Sequence, residues 1–187
     1  MCRASEIPLE RIAGVIQELA SWVAQQPADQ LGPSIIGIRQ TIDMLEAVGG
    51  EATRRFEKAG GYRADGSLGM VPWLRTHGKL AAGAAAEHVE TARQLDKLPK
   101  TEEALARGEI GYQHAVAMAR TAEHVGAAQV RKAETMLLKA GVRPRPGGLR
   151  PTIELEPTDH PLAVEQREGI TAERLIEIVQ RLLHADE

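Results

Sequence analysis

Residues 71–97 read VPWLRTHGKLAAGAAAEHVETARQLDK. The stretch predicts a short helix over 71–77, a glycine-containing turn over 78–80 and a second helix over 81–97, because Gly78 interrupts two runs that otherwise favour helix. A connection this short makes neighbouring helices turn back or cross steeply, as in a helix-turn-helix. The second helix opens on Ala82, Gly83, Ala84, Ala85 and Ala86. Such side chains offer nothing to a base edge and suit close packing against other helices.

The same punctuation continues on both sides. Toward the N-terminus, Leu9, Ile12, Val15, Ile16, Leu19, Trp22 and Val23 recur every three or four residues and predict a helix over 7–26, ended by Pro27. Pro33 suits a first helical turn, and Ile35, Ile38, Ile42, Leu45, Ala52, Phe56 and Ala59 continue a second stripe toward Gly60-Gly61. Gly49-Gly50 in its middle predicts a kink or a split, each glycine costing ~1 kcal/mol relative to alanine. Residues 62–69 (YRADGSLG) read as a loop. Toward the C-terminus, further helices are predicted over 99–107, 112–124 and 127–140, opened by Pro99 and stopped near Gly108, Gly126 and Gly141. With five aromatic residues and 28 alanines in 187, the core is built from close-packed helices rather than a β-sandwich. The expectation is an all-α, multi-helix bundle over 1–141 with a helix-turn-helix-like segment.

Residues 142–151 (VRPRPGGLRP) hold three prolines and two glycines and read as a linker. Beyond it, 152–156 (TIELE) alternates like a short strand. Thr171 then caps an amphipathic helix whose apolar face includes Leu175, Ile178, Val179, Leu182 and Leu183. Charge divides at the same place: up to Pro151 the chain carries 20 basic and 17 acidic side chains, and from Thr152 onward 3 and 9. The acidic C-terminal segment, 152–187, thus follows a mildly basic body.

Several chemistries lack their residues. Cys2 is the lone cysteine, which leaves no disulfide framework and no thiolate zinc cluster within one chain. No apolar run reaches the ~18–20 residues of a membrane span, and no secretory layout opens the chain, so the expected setting is the cytoplasm, away from the membrane. The six histidines (77, 88, 114, 124, 160 and 184) include no helical HExxH pair. Ser5, Ser21, Ser34 and Ser67 stand in no G-x-S-x-G context, and the phosphate-cradling glycine patterns are missing. The residues therefore predict a non-enzyme with no cofactor and no metal.

Two kinds of partner remain. Duplex DNA would be met through Arg75, Lys79, Arg93 and Lys97, the basic groups placed to reach phosphates from the two-helix segment, although Glu87 and Glu90 on the same helix oppose this. Alternatively, the C-terminal helix, through Leu175, Ile178, Val179, Leu182 and Leu183, supplies a protein-contact or self-association surface.

Over 57–121 the order of Asp65-Gly66, Trp73-Leu74, Gly78, Ala92, Leu95, Leu98-Pro99, residues 106–110 and His114-Ala115 resembles the domain of unknown function 222, or 13-E-12 repeat, family. That resemblance implies a helical region that commonly precedes an HNH endonuclease domain, and hence an association with DNA-acting proteins. The nuclease itself is not expected here, since the chain has no asparagine; a shortened nuclease remnant is a further reading. Residues 95–119 also resemble the stretch after the recognition helix of ParB-type partition proteins, which implies that 82–95 is the recognition helix.

Overall fold

The structure, a computed structural model, describes residues 9–141. The linker, the strand-like stretch and the C-terminal helix, with Leu175, Ile178, Val179, Leu182 and Leu183, lie outside the described residues. Seven α-helices are present among the described residues and no strand: α1 (Leu9–Gln25), α2 (Gly32–Lys58), α3 (Met70–His77), α4 (Ala82–Leu95), α5 (Pro99–Ala106), α6 (Tyr112–Val125) and α7 (Ala127–Gly141). Short 3-10 turns at Ala28–Gln30 and Gly61–Asp65 join α1 to α2 and α2 to α3. The fold is an all-α, multi-helix one. The chain divides into two units, Met1–Arg39 and Gln40–Glu187.

The first unit holds α1, the turn at Ala28–Gln30 and the start of α2. Although α1 is strongly patterned, none of its residues is buried.

The second unit carries the core. Its hub is α6, where Tyr112, Ala115, Val116, Ala117, Met118, Ala119, Thr121 and Ala122 are all buried, so this helix is covered nearly all round. On one flank it packs with Ala47 of α2, Leu95 of α4, Ala104 and Leu105 of α5, and Ile110. On the other it packs with Leu98 and with Val130 and Leu137 of α7. The alanines on α6 and α4 are what let the helices approach closely enough to exclude water with so few aromatic rings.

Two helix ends are capped from a distance. The residues that open α6 and α5, Gly111 and Leu98, offer no side-chain cap. Asp43, in the middle of α2 and 1% exposed, accepts a hydrogen bond from the Tyr112 amide at 3.0 Å. Glu134, in α7 and fully buried, accepts from both the amide and the hydroxyl of Thr101, at 2.6 and 2.7 Å. Each carboxylate meets the free N–H groups and positive end of a helix, which is the environment that compensates a buried negative charge.

In contrast to the kink expected at Gly49-Gly50, α2 runs through both glycines as one helix. Its buried face, with Asp43 and Ala47, is held by partners that outweigh the ~1 kcal/mol penalty per glycine. Arg54 fastens the next turn: its guanidinium donates to the Ala92 carbonyl at 3.1 Å, to Glu102 at 2.5 Å and to Glu51. Burial opposes the charge on Arg54, but the bonds to Glu102 and Glu51 prevail and hold its pKa above the ordinary value. After α2 the chain reverses at Gly60, in the left-handed region at φ +68°, and at Gly61 the Phe56 ring occupies the place a Cβ would take.

Candidate functional site

The sequence pointed first to the α3–α4 pair, and the structure joins these helices through Gly78–Ala81 with one buried flank on α4, formed by Ala85, Val89, Ala92 and Leu95. The glycine of this turn is not the left-handed residue. Gly78 is right-handed, at φ −81°, and a Cβ there would come within 2.8 Å of the Leu74 carbonyl oxygen, so the reversal falls to Lys79 at φ 54°. A side chain bearing a Cβ costs about 1–2 kcal/mol there.

The four basic residues have different neighbours. Arg75 and Lys79 are exposed at the end of α3 and in the turn. Arg93 is held in a bidentate pair by Glu57, with Nη2 to Oε1 at 2.5 Å and Nε to Oε2 at 3.0 Å, and reaches Glu90 at 3.4 Å. The hydrogen bonds to Glu57 raise its pKa against a smaller opposing effect of burial. Lys97 donates to Gln94 at 3.2 Å, while its carbonyl accepts from Arg131 at 3.0 and 2.8 Å. Across α4, Glu87 pairs with Arg120 at 2.8 Å. The outward first turns are the exposed Ala82, Gly83, Ala84 and Ala86.

A second cluster joins α2, α4 and α6. The Tyr112 hydroxyl lies 3.1 Å from His88 Nδ1, and the same nitrogen lies 3.4 Å from Glu46. The two rings stack with centroids 5.1 Å apart. Burial pushes the Tyr112 pKa up to about 12, a bond from Thr91 works the other way, and Glu46 and Glu87 add to the rise. The hydroxyl therefore stays protonated at neutral pH and is available as a hydrogen-bonding group. Nearby, Trp73 donates to Asp65 at 2.7 Å and stacks on His77 and against Phe56, which locks the 3-10 turn onto α3. Among the described residues, no three histidine, cysteine or carboxylate side chains are grouped to hold a metal ion.

A surface that sequence reasoning did not single out lies in the first unit. Leu9, Val15, Ile16, Leu19 and Trp22 of α1 are 37–64% exposed, as are Ile35 and Ile36 at the start of α2, at 63% and 38%. In heptad terms, with Leu9 at a, the apolar residues of α1 fill a (Leu9, Ile16, Val23), d (Ile12, Leu19), e (Ala13, Ala20) and g (Val15, Trp22). Its three charges, Glu10, Arg11 and Glu18, stand at b and c. The stripe was legible in the sequence; that it is left uncovered was not. Further along α2, within the second unit, Ile42, Met44, Leu45 and Val48 are also 40–66% exposed.

Among the described residues, no helix is long and apolar enough to cross a membrane. No curated protein and no solved structure matches the chain. Residues 112–170 match a family described as an uncharacterized protein conserved in bacteria (DUF2199), a match that begins at the first residue of α6, takes in α7 and continues beyond the described residues. This finding overturns the resemblance to the domain of unknown function 222 family, and with it the expected link to HNH endonucleases and the ParB-like reading of 95–119. The misleading signposts have local physical causes: Pro99 occupies the first turn of α5, Gly78 sits against a carbonyl, and Gly108 turns the chain after α5 in the left-handed region at φ +64°, as the ends of any tightly connected helices require.

Proposed function

We propose that the protein is a helical protein-interaction module, acting through contact rather than chemistry, and that its contact surface is the apolar face of α1 with the start of α2. The observation that carries this reading is the exposure of Leu9, Val15, Ile16, Leu19, Trp22, Ile35 and Ile36 within a single unit. Apolar side chains gathered on one helix face in this number mark a binding surface, whereas isolated ones do not. A photo-crosslinking phenylalanine analogue at Val15 is expected to form covalent adducts with protein in the native cell, while the same group at Glu18, on the polar side, does not. Absence of any protein adduct at Val15 would overturn the proposal.

A second reading, contact with duplex DNA, has one observation in its favour: Lys79 is an exposed cation held in a strained left-handed backbone beside exposed Arg75. It is the weaker one, because Arg93 is neutralised by Glu57 and the first turns of α4 present alanine and glycine.

A further inference from the structure

We propose that His88 is a proton-operated latch between helices: neutral, its Nδ1 accepts a hydrogen bond from the Tyr112 hydroxyl and ties α4 to α6; protonated, the same nitrogen donates to Glu46 and ties α4 to α2. The latch lies within the second unit and does not involve the apolar face of α1.

The geometry sets two partners against one atom. Nδ1 of His88 lies 3.1 Å from the Tyr112 hydroxyl and 3.4 Å from Oε2 of Glu46. A ring nitrogen has a single in-plane position, which holds a lone pair or an N–H and never both. A carboxylate only accepts, so Glu46 needs the N–H. A phenol can donate or accept, and the surroundings of Tyr112 decide which it does. Tyr112 is 7% exposed and keeps its proton, and its oxygen takes a bond from Thr91. The buried O–H therefore needs an acceptor, and His88 Nδ1 lies within hydrogen-bond distance to be one. With the ring neutral, Glu46 faces a lone pair. Adding a proton to the ring reverses this: Glu46 gains a charge-assisted bond, and the Tyr112 proton must turn to the Thr91 oxygen.

Solvent protons reach the ring, since the His88 and Glu46 side chains are 29% and 30% exposed. Histidine is also the side chain suited to change charge between pH 5 and 8. Of the other charged groups on the surrounding helices, Glu87 pairs with Arg120 at 2.8 Å, Glu90 with Arg93 and Gln94, Glu51 and Glu102 with Arg54, and His77 with Asp65. On α6, His114 is held below the ordinary histidine range by burial. Glu46 is the carboxylate set against the ring nitrogen. It stands one turn along α2 from Asp43, which holds the Tyr112 amide, so both states of the latch act where α2, α4 and α6 meet.

Nitrogen NMR of the full chain, labelled at histidine, reads the latch directly, with His88→Gln identifying the His88 signals. Above the midpoint of its titration, Nδ1 is expected at the shift of a bare, accepting nitrogen and Nε2 at that of an N–H; below it, both are N–H. Glu46→Gln removes the charge that favours the protonated ring, so the midpoint is expected to move to lower pH. Tyr112→Phe removes the donor that favours the neutral ring, so the midpoint is expected to move to higher pH. An Nδ1 that carries the proton in the neutral ring overturns the proposal in the parent protein alone, even if a variant fails to fold. So does a midpoint that fails to shift down in Glu46→Gln or up in Tyr112→Phe.

Discussion

His114 faces a cost that the rest of α6 does not. Its side chain is half-buried, its Nε2 is sealed from water, and that atom has no hydrogen-bond partner among the described residues. Burial lowers the pKa of the ring below the ordinary value of 6.5, because the charged form would lose its hydration without a compensating group. The unfolded chain then takes up a proton more readily than the folded one. Stability from this source is fully present above the unfolded value and is lost as pH falls through the depressed folded value. Urea midpoints measured from pH 7.5 down to pH 5 are expected to fall for the parent and to fall less for His114→Phe; equal slopes would show that His114 is not the responsible group. Two other residues were out of reach of sequence reading for a related reason. Asp43 looks like one more polar position on an amphipathic helix, and Glu134 like one more exposed glutamate, yet both are buried. Their partners lie 69 and 33 residues away, and no local pattern signals such a pairing.

At the level of elements, helix ends were the most legible part of the sequence. The predicted 71–77, 99–107 and 112–124 correspond to α3, α5 and α6 within a residue at either end. Glycine and proline act through the backbone of their own turn, so their effect can be read locally. What holds those helices together was less visible. Neither α5 nor α6 has a side-chain cap from its own first residues, and each borrows a carboxylate from another helix. Asp43→Ala is expected to cost about 1.5–3 kcal/mol, the usual worth of a hydrogen bond to a charged group, whereas Asp43→Asn keeps the acceptor and should cost less than half as much. Glu134→Ala should fall in the same range, since the Thr101 amide and hydroxyl both lose their acceptor. Urea denaturation of the three variants checks this; an Asn variant as damaging as Ala would place the energy in the charge rather than the bond.

For the molecule as a whole, the net charge of −3 and the pairing of Arg93 with Glu57 argue against a strong phosphate-binding face. The expected result with duplex DNA is no gel retardation at physiological ionic strength. Retardation that persists there and is abolished by Arg75→Ala with Lys79→Ala would instead favour the DNA reading. The fold class could be read from alanine content and helix spacing, but not the use of the surface. A stripe such as that of α1 looks the same in sequence whether it faces its own core or a neighbour, and only the absence of any buried residue on α1 separates the two. That absence has a thermodynamic corollary. A seventeen-residue helix is only marginally stable alone in water, and most of its stability must come from whatever covers its apolar face. The order of α1 thus depends on whatever covers that face, whereas the α6-centred core is held by its own buried side chains. With none of its residues buried, α1 is expected to open before the α6-centred core and to be the first helix cut in limited proteolysis.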